Sequence, residues 1–266
     1  MSAAATRVRP ARSGWAGLTA ELDAWAAQGL VATFWWRDDD AVAPTPALDR
    51  LLQIAAEVGV APGIAVIPAA ASADLAARLA GCDVSGLAVL QHGFGHINHG
   101  AERKAEMGPE RSAVQRRDEL ARGATLLTRS FGTRALPVLV PPWNRIGADL
   151  VPALPEIGFA GLSCYRARIA RWAAPGTVQA NTHIDIVDWR ADKRFLGETE
   201  ALDLAIGHLM VRRTGRADID EPTGLLTHHL VQDAAAWQFT GDLIARTRGH
   251  ASARWLTPAE VFEVPR

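Results

Sequence analysis

Acidic and imidazole side chains follow several strand candidates of this sequence, and such side chains can bind a metal ion. Three consecutive carboxylates, Asp38 to Asp40, come directly after Val31 to Arg37, an apolar run rich in aromatic and β-branched residues that predicts a strand. Three adjacent negative charges repel one another, and a bound cation is the usual reason for gathering them. A solvated turn is the alternative interpretation of this acidic cluster.

The second group of candidate ligands is His92 and His96, which follow another apolar strand candidate at a spacing of i and i+4. Neutral imidazole suits zinc and similar divalent ions, and two histidines with this spacing converge on one ion if the segment turns helically. Gly93 and Gly95 disfavour a regular helix, which leaves a loop or a first helical turn. Together with the acidic cluster, the two histidines predict one metal site.

Further polar and aromatic side chains follow three later strand candidates. They are Pro141 to Arg145 after the fourth strand, Asp185, Asp188 and Trp189 after the sixth, and His228 and His229 after the seventh. The two prolines stiffen the backbone and fix the direction of Trp143, whose indole would be a stacking surface for a sugar ring. A buried core tryptophan is the alternative interpretation of Trp143.

The order of the predicted elements brings these side chains to one edge of a sheet. Seven apolar runs alternate with helical patterns, which predicts a parallel α/β sheet wound by right-handed crossovers into a distorted (β/α)7 barrel. An open doubly wound sheet is the alternative, and no GxGxxG follows a strand. In a barrel of this kind, the loops after the strands build the active site. The strands are predicted at 31–37, 63–67, 86–91, 136–140, 159–164, 184–187 and 223–227.

Capping signals mark the helices between these strands. Thr45 before Pro46 and Ser72 are typical N-caps, and the segment Thr257 to Glu260 has the pattern of a capping box. Longer helices are predicted from about Glu110 to Gly132, from Glu198 to Arg213 and from Val231 to Arg246, and a shorter one from Asp149 to Ile157.

Composition narrows the class of protein. The chain has 266 residues, 28 lysines and arginines against 29 acids, and two cysteines, so it needs neither a nucleic-acid partner nor a disulfide framework. It lacks a signal-peptide pattern and any stretch near the ~20 apolar residues of a membrane span, which predicts a cytoplasmic protein without stable membrane insertion. We expect a flexible tail at residues 1–12 and a single domain at residues 13–266. The oligomeric state stays open.

Five short motifs of the chain resemble, in order, those of the polysaccharide deacetylases of carbohydrate esterase family four, the NodB homology domain. They are Trp36 to Asp40, His92 to His96, Val140 to Asn144, Asp185 to Trp189 and Leu225 to His228, and the resemblance covers residues 33–232. Glycine replaces a hydroxyl residue in the second motif, and Val140 stands where the family has an arginine. The stretch Lys104 to Glu106 resembles a divergent, intracellular branch.

The resemblance implies a role for each motif residue. Asp38 would be the general base and His228 the general acid, and Arg145 would replace the missing family arginine, with Arg37 as the alternative. The metal would be one divalent ion, first Zn²⁺, with Mn²⁺, Co²⁺ and Ni²⁺ left open. Two choices stay open as well: Asp39 and Asp40 as base and ligand, and His229 as the acid. The implied metal ligands are Asp39, His92 and His96, and the implied substrate-binding residues are Pro142, Trp143, Asn144, Asp185 and Trp189.

The implied activity is removal of an acetyl group from an N-acetylated sugar, with a carbohydrate as the binding partner. One alternative keeps the metal and changes the bond, giving a hydrolase of another amide, a formyl group or an ester. A second alternative is a carbohydrate-binding relic without catalysis, because the family arginine is missing at Val140.

Overall fold

The computed structural model describes residues 14–264, and a mostly parallel sheet flanked by helices forms its centre. The tail predicted at residues 1–12 lies outside the described residues. The strands are β1 (Ala32–Ala41), β2 (Gly63–Val66), β3 (Ala88–His92), β4 (Ala135–Val140), β5 (Gly161–Leu162), β6 (Trp172–Ala174), β7 (Thr177–Gln179), β8 (Ile184–Asp185), β9 (Val187–Asp188), β10 (Arg194–Phe195), β11 (Thr223–Thr227) and β12 (Ala253–Trp255). The helices are α1 (Gly14–Ala27), α2 (Pro46–Val58), α3 (Ala73–Ala80), α4 (Ala113–Phe131), α5 (Leu154–Ile157), α6 (Glu198–Arg213), α7 (Ala234–Arg248) and α8 (Pro258–Val261).

The strand order shows how the sheet winds. It runs β6-β7-β5-β4-β3-β2-β1-β11-β8, with β12 also paired to β1. Every pair in this sheet is parallel except β6 with β7, and β9 and β10 form a separate antiparallel pair. All seven predicted strands contribute to the main sheet, which confirms the predicted distorted (β/α)7 architecture. The strand predicted at 184–187 is shorter there, because Val187 belongs to β9 in the separate pair. Strand β1 pairs with β2, β11 and β12, and its C-terminal end lies between those of β2 and β11. The edge of the sheet formed by the C-terminal ends of the parallel strands is called the rim.

The capping signals act as expected. The side chain of Thr45 accepts from the Leu48 backbone N–H, that of Ser72 accepts from Leu75, and Thr257 forms the complete capping box with Glu260.

The helix predicted from Asp149 to Ile157 is wrong in extent. Only a 3₁₀ turn at Val151–Ala153 and the four-residue α5 form there. The segment contains Pro152 and Pro155, which carry no backbone N–H to continue a helical ladder.

The inside of the sheet is filled by its own apolar side chains and closed by the last helix. Trp35, Leu90 and Val138 belong to one buried cluster with Phe262, which follows α8. The rings of Trp35 and Phe262 meet edge to face, with centroids 5.4 Å apart. The larger buried cluster lies between the sheet and the surrounding helices. Within residues 14–264, no helix is both long and apolar enough to cross a membrane.

Two glycines provide a matched test of this packing. A Cβ on Gly224 of β11 would lie 2.5 Å from the Asn181 carbonyl oxygen and 2.6 Å from Nε1 of Trp35, whereas a Cβ on Gly241 of α7 meets nothing within 4 Å. We expect Gly224→Ala to lower the free energy of unfolding by about 1–3 kcal/mol through overpacking. Gly241→Ala should raise it by about 0.5–1 kcal/mol, because alanine is the better helix former. Urea denaturation measures both, and equal effects would contradict the packing described.

Candidate metal centre and active site

The three consecutive carboxylates of β1 enter three different surroundings. In a regular strand, Asp38 and Asp40 would point to one face and Asp39 to the other. The strand is irregular here, because Asp40 has a left-handed backbone with φ of 75° and the register with β2 shifts between Asp38 and Ala41. Because of this irregularity, the side chains of Asp38 and Asp40 do not share one face of the strand, and the side chain of Asp40 reaches the rim.

Asp40 lies with the two motif histidines. Its Oδ1 is 3.1 Å from Nε2 of His92 and 3.4 Å from Nε2 of His96. Ligand atoms of the three residues all lie within 4.8 Å of one another. Nδ1 of His92 donates to the Val140 carbonyl at 2.9 Å, which directs Nε2 toward the cluster. One carboxylate and two imidazoles facing a common point fit a divalent ion such as zinc.

The electrostatics of this cluster suit a cation. Burial raises the pKa of Asp40, but the hydrogen bond to His92 and the charges of His92, His228 and His96 outweigh it and hold that pKa below its ordinary value. Asp40 is therefore ionised at neutral pH. Burial and the charge of His92 lower the pKa of His96, which favours the neutral imidazole that a metal requires.

Glu106 holds the loop that carries the histidines. Its buried carboxylate accepts backbone N–H groups of Phe94 at 3.0 Å, Gly95 at 2.7 Å and Ile97 at 3.4 Å. These donors lie between and just after the two histidines, so one side chain fixes the turn that directs His96. Charge-assisted hydrogen bonds of this kind are the stronger class.

Gly93 is explained by the same carboxylate. A Cβ at Gly93 would lie 2.0 Å from Oε2 of Glu106 and 2.6 Å from Cδ of Pro142, and the residue has φ of +56°. Glycine therefore stands where the resembling family has a hydroxyl residue because Glu106 occupies the space of a side chain there.

Asp39 pairs with a buried arginine. Nε of Arg37 lies 2.9 Å from Oδ1 of Asp39, and Nη2 donates to Oδ2 at 3.0 Å. Nη2 also donates to Oδ1 of Asn144 at 2.7 Å, and Nη1 donates to Oγ of Ser163 at 2.7 Å and to the Cys164 carbonyl at 3.2 Å. Both charges are almost fully removed from water, so the pair must be well bonded to persist.

Asp38 is tied into the structure below the rim. It accepts from the hydroxyl of Thr227 at 2.6 Å and from the backbone N–H of His229 at 3.0 Å. Its Oδ1 also binds Nδ1 of His229. Burial lowers the pKa of His229, but the charge of Asp38 and this hydrogen bond outweigh it and raise that pKa. These contacts leave Asp38 a structural partner of His229, away from the rim.

His228 lies near Asp39. Its Nε2 lies 3.9 Å from Oδ2 of Asp39, and its ring meets that of Trp189 edge to face with centroids 4.6 Å apart. Nε1 of Trp189 donates to Oδ2 of Asp185 at 2.9 Å. Burial raises the pKa of Asp185, and the charge of His228 opposes that rise. His228, Asp185 and Trp189 thus form one wall.

The fourth-strand motif forms the remaining wall. The ring of Trp143 packs against that of His96 with centroids 4.4 Å apart, and the preceding residue, Pro142, is buried. Trp143 and Asn144 have left-handed backbones with φ of 56° and 57°. Such conformations are costly and concentrate at functional sites. Arg145 points away and donates from Nη1 to the Lys104 carbonyl at 2.7 Å.

The structure brings together most of the predicted site residues, but the three consecutive aspartates occupy different places from those that the motifs imply. Asp40 occupies the place expected for Asp39 beside the histidines, and Asp39 occupies the place expected for Asp38. Arg37, the alternative to Arg145, is the arginine beside that carboxylate. The sequence analysis assigned no site role to Glu106, although an acidic residue shortly after a glycine-rich loop is a possible acceptor for the backbone N–H groups of that loop.

A second cluster, His183, His208 and Glu221, also has ligand atoms within 4.8 Å but does not fit a metal. The Gly224 N–H donates to Nδ1 of His183 at 3.0 Å, so the proton of the neutral ring is on Nε2, which faces Glu221 at 3.5 Å. The imidazoles of His183 and His208 stack with centroids 3.4 Å apart and planes 13° apart, so their nitrogen lone pairs do not converge. The cluster is a buried polar network.

Comparison with known proteins gives the fold. No protein-family model matches the chain, and no curated protein matches it by sequence. A Mycobacterium smegmatis structure, provisionally described as a polysaccharide deacetylase, matches with a TM-score of 0.63 and 16% identity over 88% of this chain and 90% of that chain. A family 4 acetyl xylan esterase from Clostridium thermocellum, in complex with cobalt, matches with a TM-score of 0.54 and 16% identity over 87% of this chain and 91% of that chain. A pseudoenzyme of that family from Bacillus anthracis matches with a TM-score of 0.54 and 14% identity over 87% of this chain and 66% of that chain.

These likenesses show the fold and confirm the one that the five motifs imply. The chain has the architecture of the family 4 carbohydrate esterases and polysaccharide deacetylases. Because the fold also occurs in a pseudoenzyme, activity must be argued from the site.

Glu106→Gln tests the support of the histidine loop. The amide keeps the size of the side chain but loses the charge and one of the two acceptor oxygens, so we expect zinc affinity to fall about 10- to 100-fold, as for other outer-shell partners of metal sites. Competition titration with a chromophoric chelator measures the affinity. Glu102→Gln, at an exposed position of the same loop, is the matched control and should bind zinc like the wild type.

His208→Gln tests the buried histidine network through pH. Burial, together with neighbouring positive groups, holds the pKa of His183 and His208 well below the ordinary value, so the folded state keeps them neutral. The unfolded state takes up protons below about pH 6.5, and stability is therefore lost as the pH falls below that value. Removing His208 should reduce the slope of the unfolding free energy against pH by up to about 1.4 kcal/mol per pH unit. Urea denaturation between pH 7.5 and pH 5 measures the slope, and an identical slope in both proteins would refute the assignment.

Proposed function

We propose that this chain is a metal-dependent hydrolase that removes the acetyl group from an N-acetylated sugar. The observation that carries the proposal is the juxtaposition of a donor cluster, Asp40 with His92 and His96, and a buried carboxylate, Asp39, that is paired with Arg37 and lies 3.9 Å from His228. The fold of the family 4 deacetylases and esterases supports the same reaction class.

In this proposal, Asp40, His92 and His96 hold one divalent ion, first Zn²⁺. When bound, such an ion supplies Lewis-acid chemistry, since it polarises a carbonyl and lowers the pKa of water to about 7 in zinc enzymes. Three protein ligands leave a position open for the reactants, which is the arrangement of catalytic zinc sites.

Asp39 is the proposed general base. Arg37 contacts both of its oxygens, Oδ2 through a hydrogen bond from Nη2 and Oδ1 through Nε at 2.9 Å, while Asn144 and Ser163 bind the guanidinium in turn. In this orientation Asp39 takes a proton from the water whose oxygen attacks the acetamide carbon. This assignment replaces the one that the sequence motifs imply for Asp38, whose oxygens are occupied by Thr227 and His229.

His228 is the proposed general acid. An amide nitrogen is a poor leaving group until it is protonated, so a donor must lie on the side opposite the attacking water. His228 Nε2 lies 3.9 Å from Oδ2 of Asp39, and Asp185 lies close enough that the charge of His228 opposes the rise in its pKa caused by burial. Cleavage of the C–N bond then gives acetate and the free amino sugar. Trp143 and Trp189 offer aromatic faces for the sugar ring at the two walls.

Ester cleavage is the second candidate, because one structure of this fold is an acetyl xylan esterase. An alkoxide leaves more easily than an amine, so an ester substrate depends less on the acid His228. Assaying acetate release from matched N-acetylated and O-acetylated sugars separates the two reactions. The cytoplasmic location stays a prediction, for which cell fractionation is the test.

Asp39→Asn and Asp40→Asn distinguish base from ligand. We expect Asp39→Asn to keep bound zinc but to lose about 10²- to 10⁴-fold in acetate release, because the proton acceptor is gone. Asp40→Asn should lose both zinc and activity. Metal analysis beside an acetate assay reads out the two effects, with Asp118→Asn on the exposed face of α4 as control. Undiminished acetate release in Asp39→Asn would refute Asp39 as the base, and binding of zinc and sugar without acetate release in the wild type would favour a non-catalytic sugar-binding protein.

A further inference from the structure

Two arginines of neighbouring rim loops line one cavity beside the proposed active site. Arg103 comes from the loop after β3 and Arg145 from the loop after β4, and the cavity measures about 370 Å³. The other lining residues are Ala105, Gly108, Pro109, Glu110, Asn144 and Ile146.

The walls of this cavity are joined by backbone contacts. Nη1 of Arg145 donates to the Lys104 carbonyl at 2.7 Å, and the N–H of Gly147 donates to the Met107 carbonyl at 2.7 Å. Met107 and Ile146 also form a parallel β-bridge. The two loops therefore hold each other in place around the cavity.

The cationic side chains of this cavity have no acidic partner. Within residues 14–264, neither Arg103 nor Arg145 has a carboxylate within 4.0 Å, and the same holds for the adjacent Lys104. By contrast, Arg111 in the same loop is paired with Glu119. The lining contains two guanidinium groups and one carboxylate, Glu110, so its formal charge is +1.

The cavity adjoins the proposed reaction position through one residue. Asn144 lines it, and Oδ1 of Asn144 accepts from Nη2 of Arg37 at 2.7 Å, the same nitrogen that binds Asp39 at 3.0 Å. The residue before it, Trp143, packs on His96. A sugar whose acetamido group lies between Asp39 and the metal ligands can therefore direct a neighbouring substituent over Asn144 into the cavity.

We infer that this cavity binds a phosphoryl group carried by the substrate, so that the enzyme acts on a phosphorylated N-acetyl amino sugar rather than a neutral polymer. The inference rests on the proposed function. Arg103, together with the nitrogens of Arg145 that do not bind Lys104, offers donors of the kind that bind a tetrahedral phosphate, which has several acceptor oxygens and about two negative charges. Arg145 thus has a role in recognition of the substrate, in place of the role at the base that the sequence motifs imply.

The test compares substrates that differ only in charge, on the zinc-loaded full chain. We expect kcat/KM for N-acetylglucosamine 1-phosphate to exceed that for N-acetylglucosamine by at least about tenfold, the scale of a hydrogen bond to a charged group. UDP-N-acetylglucosamine shows whether a diphosphate is preferred to a phosphomonoester. Arg103→Gln and Arg145→Gln should each reduce the preference for the phosphorylated sugar, and Glu110→Gln should increase it. Arg50→Gln on α2, an exposed arginine away from the rim, should leave the preference unchanged.

Binding measurements separate failure of this inference from failure of the proposed function. Calorimetric titration with the product glucosamine 1-phosphate should give tighter binding than glucosamine, and the Arg103→Gln, Arg145→Gln double variant should abolish the difference. Equal binding of the two sugars, or a preference that survives in the double variant, overturns the phosphoryl site. Arginine-dependent binding without acetate release from any acetylated sugar would instead overturn the deacetylase and leave the phosphoryl site standing.

Discussion

The buried ion pair between Arg37 and Asp39 is the constraint on which the rest of the rim depends. A guanidinium without exposure to water is tolerated only when nearly all of its donors are bonded, and Arg37 meets this condition by binding groups from three different strands and their loops. Asn144 points inward and supplies one of the acceptors of Arg37. The same segment has the left-handed backbone of Trp143 and Asn144, and the indole of Trp143 packs on His96. One charge on β1 therefore holds groups that follow β4 and β5.

The same pair explains how the site accommodates Val140. The resembling family places an arginine at that position on β4, beside the base. In this chain the arginine comes from β1, two residues before the carboxylate it binds, and the Val140 carbonyl instead orients His92. A cation can reach one point in space from either of two strands, because what matters at a rim is the position of the charged group and not the strand that supplies it.

Most of the architecture could be predicted from sequence, because apolar runs, capping residues and prolines act locally. The seven main strands and the caps at Thr45, Ser72 and Thr257 follow from such signals. The assignment of Asp38, Asp39 and Asp40 could not, since it depends on a shift of strand register and on one left-handed residue, Asp40. A prediction from periodicity assumes a regular strand, so the predicted roles are displaced by one residue where the strand is irregular. The short strands such as β6 and β12 are defined by their partners and leave no periodic signal.

The closure of the sheet interior by Phe262 against Trp35 has a consequence for how the chain is made. Trp35 lies on β1, near the start of the described chain, and its aromatic partner emerges from the ribosome more than two hundred residues later. Until then the nascent chain exposes an unfinished apolar interior, which is the kind of surface that chaperones bind and that promotes aggregation. Production of the protein should therefore respond to chaperone supply and to the rate of synthesis more strongly than its final stability suggests.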